Sequence, residues 1–206
     1  MSNTTEKQID KNLPNKLTIL RIILVPIFII VLWLPMMTQG AVNDLAAKII
    51  SAVVFVISAV TDFVDGKLAR KYNLVSNFGK FMDPLADKFL VIGALLAMAL
   101  VYEGAMRAGL IVSLMVIIFR ELAVSSMRLI AKNADGVVIA AAMPGKIKTF
   151  SQCIFVPLAL LENYIFAAVP SLAKGMYLSW ICMAVMVFFT IYSGIQYLNT
   201  YKDYIK

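Results

Sequence analysis

Six long apolar blocks alternate with short polar stretches along the chain, near Leu17–Met37, Lys48–Gly66, Lys80–Val101, Gly109–Ala131, Lys146–Leu161 and Lys174–Leu198. Each block is continuously apolar rather than alternating, so each reads as a helix and not as a strand. A bilayer core is crossed by roughly 20 residues of helix, and the blocks approach or exceed that length. The fifth fits least well, because Pro157 interrupts it and Glu162-Asn163 ends or bends it. The pattern predicts an all-α, polytopic membrane protein with six transmembrane helices. A short N-terminal juxtamembrane helix is expected before the first block, with a flexible cytoplasmic tail over residues 1–12. Nothing along the chain resembles an interdomain linker, so residues 1–206 are expected to form a single membrane domain.

Composition strengthens this reading. The chain is 61% hydrophobic, with a mean hydropathy of +0.85, where a soluble domain is about half apolar. Residues 1–16 lack the short apolar run and small-residue cleavage site of a signal peptide. The net charge is +7, but the basic residues sit between the apolar blocks. Lys7, Lys11 and Lys16 precede the first block, and Lys67, Arg70, Lys71 and Lys80 follow the second. Lys132, Lys146 and Lys148 flank the fourth connection, while Lys202 and Lys206 close the chain. The other side carries only Lys48, Arg107 and Lys174. The positive-inside rule therefore puts both termini in the cytoplasm. Lipid headgroups, and not nucleic acid, are the expected partners of this charge. Cys153 and Cys182 fall within apolar blocks and read as buried packing thiols. The chain has no histidine, so any metal must be a hard ion held by carboxylates.

Four aspartates break the apolar pattern at one end of two successive blocks. Asp62, Asp65, Gly66 and Ala69 share one face of the second helix, and Gly79, Asp83 and Asp87 share one face of the third. The short connection predicts adjacent antiparallel helices whose acidic faces meet, with Pro84 in the first turn of the third helix. Each aspartate in a membrane segment costs roughly 2.5–3.5 kcal/mol on insertion scales. Four near one another would repel strongly unless protons or cations intervened, and divalent ions are the economical answer. Two divalent ions about 4 Å apart would suit phosphoryl chemistry; a salt-bridge cluster with Lys67, Arg70, Lys80 and Lys88 is the structural alternative. The small residues on the acidic faces would admit a ligand close to the backbone, or serve helix packing.

Two further groups of polar residues stand out. Asn15, Thr18 and Arg21 recur every three residues on one helix face. They read either as a helix start, with Asn15 as N-cap and Arg21 reaching the headgroups, or as a polar face turned towards a site. In the fourth and fifth blocks, Arg120-Glu121, Arg128, Lys146, Lys148 and Thr149 precede Gln152. These cations read as a basic pocket for an acceptor phosphate. Alternatively, Arg120 forms an ion pair, and Lys146 and Lys148 are positive-inside decoration.

The stretch Asp62 to Asp87 reads D-x-x-D-G-x-x-A-R-x8-G-x-x-x-D-x-x-x-D. It resembles the signature of the CDP-alcohol phosphatidyltransferase family at every fixed position and spacing. The resemblance implies an enzyme that moves a phosphatidyl group from CDP-diacylglycerol to an alcohol, with two Mg2+ or Mn2+ ions per active site. Asp62, Asp65, Asp83 and Asp87 would be the metal ligands, and Asp87 also the general base, although one carboxylate serving both roles is a tension. Asn15, Gly66, Ala69, Arg70 and Gly79 would bind CDP-diacylglycerol. The further segments Leu13–Thr18, Arg120-Glu121 and Gly145–Thr149 are similar to family members of bacterial membranes that accept glycerol 3-phosphate. Arg120, Lys146, Lys148, Arg128 and Thr18 would then hold the acceptor phosphate. Serine, inositol phosphate and phosphatidylglycerol are the other acceptors to weigh. The resemblance also implies a homodimer in the bacterial plasma membrane, with its active site facing the cytoplasm. A cation-coupled transporter is the reading from another class, but the chain has neither a detectable repeat nor a glycine-interrupted helix pair.

Overall fold

The computed structural model describes residues 13–71, 77–135 and 143–201, with side chains at 15–63, 79, 81–128 and 145–200. These residues form seven helices and no strand: α1 (Leu13–Met37), α2 (Asp44–Lys71), α3 (Asn77–Val101), α4 (Gly104–Asp135), α5 (Met143–Ile165), α6 (Pro170–Gly175) and α7 (Tyr177–Tyr201). The chain reverses after α1 through Gln39 and Gly40, whose φ values are 50° and 87°; glycine takes this left-handed conformation without a Cβ penalty. The Asn43 side-chain oxygen then accepts from the N–H groups of Leu45 (2.9 Å) and Ala46 (3.3 Å), capping the start of α2.

Among the described residues, α1, α2, α3, α4 and the α6–α7 stretch are long and apolar enough to cross a membrane. Helix α5 is as long, but Lys146, Lys148 and Glu162 dilute its apolar run. The bundle buries Phe28, Phe55, Leu95, Met98, Leu110 and Phe155 at its centre. Ile30, Val53, Met115 and Phe119 point outwards and are exposed, as suits a bundle whose solvent is as apolar as leucine.

The order of packing differs from the sequence-based expectation. Helices α2 and α3 touch each other little, because α1 lies along both. The Trp33 indole N–H donates to the Ala97 carbonyl at 3.1 Å and ties α1 to α3. Helix α4 packs on α3 and α7, and α5 packs on α7 and α2. Three local expectations also change. The expected juxtamembrane helix is not separate: α1 runs unbroken from Leu13 to Met37, so Asn15 is inside the helix and is not its N-cap. Helix α3 starts at Asn77, which puts Pro84 about two turns in, where its missing N–H frees the Lys80 carbonyl. Helix α5 runs on through Pro157 to Ile165. Residues 1–12, expected to form a tail, lie outside the described residues.

Glu162, which looked like a helix terminator, instead organises another helix. Its buried carboxylate accepts from the N–H groups of Leu178 (2.9 Å) and Ser179 (2.7 Å) and from the Ser179 hydroxyl. These N–H groups belong to the first turn of α7, which has no helical acceptors for them. A negative charge there also complements the helix dipole. Glu162→Ala should therefore destabilise the protein by about 2 kcal/mol or more. A thermal melt in detergent would show it as a lowered midpoint, and an unchanged midpoint would contradict this role.

Candidate active site

The polar face of α1 is the inner wall of the site. Thr18 is buried, and its hydroxyl donates to Asp83 Oδ1 at 2.6 Å. Arg21 is fully buried, with Nη1 2.6 Å from Asp62 Oδ1. Asn15 is half-buried one turn before Thr18. Of the two readings of this face, the inward one holds: Arg21 does not reach the headgroups but pairs with a carboxylate on α2. A buried guanidinium without that partner would be costly. Thr18, expected among the phosphate ligands, holds Asp83.

The described aspartates approach one another across α1. Asp62 lies within electrostatic reach of Asp83 as well as Arg21. Asp87, one turn beyond Asp83 on α3, feels Asp62 and Arg21 on one side and Lys148 and Glu121 on the other. Gly79 is buried two turns before Asp87. Asp65, Gly66, Ala69 and Arg70 lie on the last turns of α2, and their side chains are outside the described residues.

A second cluster centres on Glu121 of α4. Arg120 Nη1 approaches its Oε1 at 2.9 Å, and Lys148 Nζ pairs with the same oxygen. Lys88 Nζ stands 4.0 Å from Oε2 and donates to the Ser125 hydroxyl at 2.6 Å. The anticipated Arg120–Glu121 ion pair is therefore present, as part of a network of three cations around one carboxylate. The Arg120 stem passes close to α7 at Gly194, where an added Cβ would lie 3.2 Å from Arg120 Cγ. Arg120 and Arg128 both face the ring of Tyr197, at 5.7 and 5.1 Å, and Arg128 donates to its hydroxyl at 2.5 Å.

The second cluster opens on a cleft to which the aspartate group contributes Asp87. It is lined by Asp87, Lys88, Glu121, Lys148 and Gln152, with an apolar wall that includes Ile117. Lys148 is buried here, whereas Lys146, two residues away on another face of α5, is exposed and outside the lining. Arg128 is held against Tyr197 and is also outside the lining. Sequence reasoning had not assigned Gln152, Tyr197 or the Arg21–Asp62 pair to the site. The spacing offered a signal for two of them: Arg21 follows Thr18 by three residues, and Gln152 follows Lys148 by four.

The donors at the aspartate end are oxygens alone, which suits a hard divalent ion. No three metal-binding side chains form a ready cage among the described residues, and Asp65 is not one of these. Asp83 is exposed and Asp62 partly so, so an ion arriving with water ligands could reach both.

Comparison with known proteins agrees with this geometry. The family model for CDP-alcohol phosphatidyltransferase matches residues 11–192. A CDP-diacylglycerol–glycerol-3-phosphate 3-phosphatidyltransferase of Bacillus subtilis is 43% identical over 95% of this chain and 97% of its own length. A protein of the same name from Rickettsia felis is 34% identical over 96% and 99%. A probable phosphatidylglycerophosphate synthase of Mycobacterium tuberculosis is 32% identical over 91% and 80%. With the aspartate signature at one end of a helical membrane bundle and nearly the whole chain matched, this protein belongs to the CDP-alcohol phosphatidyltransferase family.

Proposed function

We propose that this protein transfers the phosphatidyl group of CDP-diacylglycerol to glycerol 3-phosphate, releasing CMP and forming phosphatidylglycerol phosphate. The observation that carries the acceptor is the shared cleft: the side chain able to take a proton, Asp87, stands beside the buried cations around Glu121. A phosphate arriving there meets Lys148, which can give it a charge-assisted hydrogen bond, while Arg120, outside the lining, pairs with the same Glu121 carboxylate and adds positive charge. The names of the relatives support the same substrates.

In this reading Asp87 accepts the proton of the acceptor's terminal hydroxyl. The resulting alkoxide attacks the phosphorus that bears the diacylglycerol, and the bond to the CMP oxygen breaks. Asn15, Gly66, Ala69, Arg70 and Gly79 form the CDP side of the site. Arg21 and Thr18 hold Asp62 and Asp83 in place. Two Mg2+ or Mn2+ ions, held by Asp62, Asp65, Asp83 and Asp87, would neutralise the pyrophosphate and the charge that develops on CMP. Lys146 and Arg128, at the margin of the cleft, would add longer-range attraction for the anionic acceptor. The charge bias of the loops supports a site at the cytoplasmic face of the bacterial plasma membrane, where a water-soluble acceptor would enter. The family resemblance supports a homodimer.

Two experiments test the chemistry. CMP release from CDP-diacylglycerol should stop in excess chelator and return with Mg2+ or Mn2+, and Asp87→Asn should abolish it with metal present. Turnover that survives both treatments would rule out this assignment. For the acceptor, Lys148→Gln removes one charge-assisted contact worth about 1.5–3 kcal/mol. The KM for glycerol 3-phosphate should rise about 10- to 100-fold, while the KM for CDP-diacylglycerol changes little. An equal rise for both substrates would show that Lys148 is not at the acceptor phosphate.

A further inference from the structure

The cleft contains one neutral polar side chain to which the chemistry above gives no role. Gln152 is only 1% exposed and lines the cleft with Asp87, Glu121 and Lys148. Its Nε2 has no hydrogen-bond partner among the described residues. A buried amide left unpaired is destabilising. The apolar wall beside it, Val91, Ile92 and Ile117, offers no side-chain partner. The carboxamide nitrogen at the cleft lining therefore lacks a partner that a polar ligand would supply.

Its position relative to Lys148 points to a particular part of that ligand. The two residues are four apart on α5, so they share a face and lie about 6 Å apart along the helix axis. That is the scale of a three-carbon phosphate ester. With the phosphate at Lys148 and the attacking hydroxyl at Asp87, the middle carbon faces the next turn of α5, where Gln152 stands. A hydroxyl both donates and accepts, so it pairs with either end of the carboxamide.

We infer that Gln152 is a specificity-determining residue, hydrogen-bonded to the acceptor hydroxyl on the carbon next to the one attacked. The inference rests on the glycerol 3-phosphate reading and deepens it. The amide nitrogen has no hydrogen-bond partner among the described residues, and the acceptor brings one. An acceptor without that hydroxyl leaves the amide buried and unpaired, and the site rejects it on that account.

The test compares two acceptors, glycerol 3-phosphate and 3-hydroxypropyl phosphate, which lacks the middle hydroxyl. CMP release is measured with the purified full-length wild type and Gln152→Met, a variant of similar volume that cannot donate. The wild type should prefer glycerol 3-phosphate by about 10-fold in kcat/KM, the factor that one net hydrogen bond supplies. Gln152→Met should lose about that factor with glycerol 3-phosphate and little with the analogue, so the preference collapses towards unity. The KM for CDP-diacylglycerol should hold, and the thermal midpoint should not fall. Gln152→Leu gives the same comparison if the methionine variant does not accumulate. An equal loss with both acceptors, a retained preference, or a lowered midpoint would overturn the role of Gln152. A wild type that uses neither acceptor would overturn the acceptor reading and this inference together, a failure visible before any variant is made.

Discussion

An ionised side chain inside a helical membrane bundle must meet an opposite charge, and most of the functional end of this protein follows from that constraint. Arg21 meets Asp62 and so fixes α1 against α2. Thr18, one turn earlier, holds Asp83 and fixes the same helix against α3. Glu121 gathers Arg120 and Lys148, which joins α4 to α5. None of these pairs is expected to add much net stability, because desolvation offsets most of the Coulomb attraction. Their effect is to select one arrangement: removing Asp62 leaves Arg21 buried without a partner, and removing Glu121 does the same to Arg120 and Lys148, which costs about 3–5 kcal/mol. The helices are thereby held in an order that brings acids and bases from five segments to one end of the bundle.

The same pairing prepares the site for anionic substrates. Arg21 offsets charge at the aspartates, while Asp62 and Asp83 remain accessible from solvent. Lys148 and Arg120 share a single carboxylate, so positive charge is left over for a phosphate. Asp87 lies between the two groups and lines the cleft that joins them. Electrostatic preorganisation of this kind leaves little side-chain rearrangement for the reaction step itself.

Much of this was legible in the sequence. Continuous apolar blocks identified the long helices, because spanning segments must satisfy their own backbone hydrogen bonds. The aspartate spacing identified the carboxylate face, because helical periodicity alone decides which residues are neighbours. The insertion of α1 between α2 and α3 was not legible: it depends on contacts such as Thr18–Asp83, 65 residues apart, that no local pattern records. Pro84 and Pro157 misled for a related reason, since surrounding helices supported both prolines within continuous helices. Glu162 seemed a breaker when only its own helix was considered, and became a cap once α7 was in place. For Lys146 and Lys148, sequence showed two equivalent cations, and only the rotation of α5 separated the buried one from the exposed one.

The measurement closest to the centre of the account is a competition between acceptors. Purified protein, CDP-diacylglycerol and a divalent ion are incubated with equimolar glycerol 3-phosphate, serine, inositol phosphate and phosphatidylglycerol, and the lipid products are identified by mass spectrometry. Phosphatidylglycerol phosphate is expected as the dominant product, because glycerol 3-phosphate brings a phosphate monoester to the Lys148 cluster and a middle hydroxyl to the amide of Gln152. A comparable yield of phosphatidylserine, phosphatidylinositol phosphate or cardiolipin would contradict that assignment.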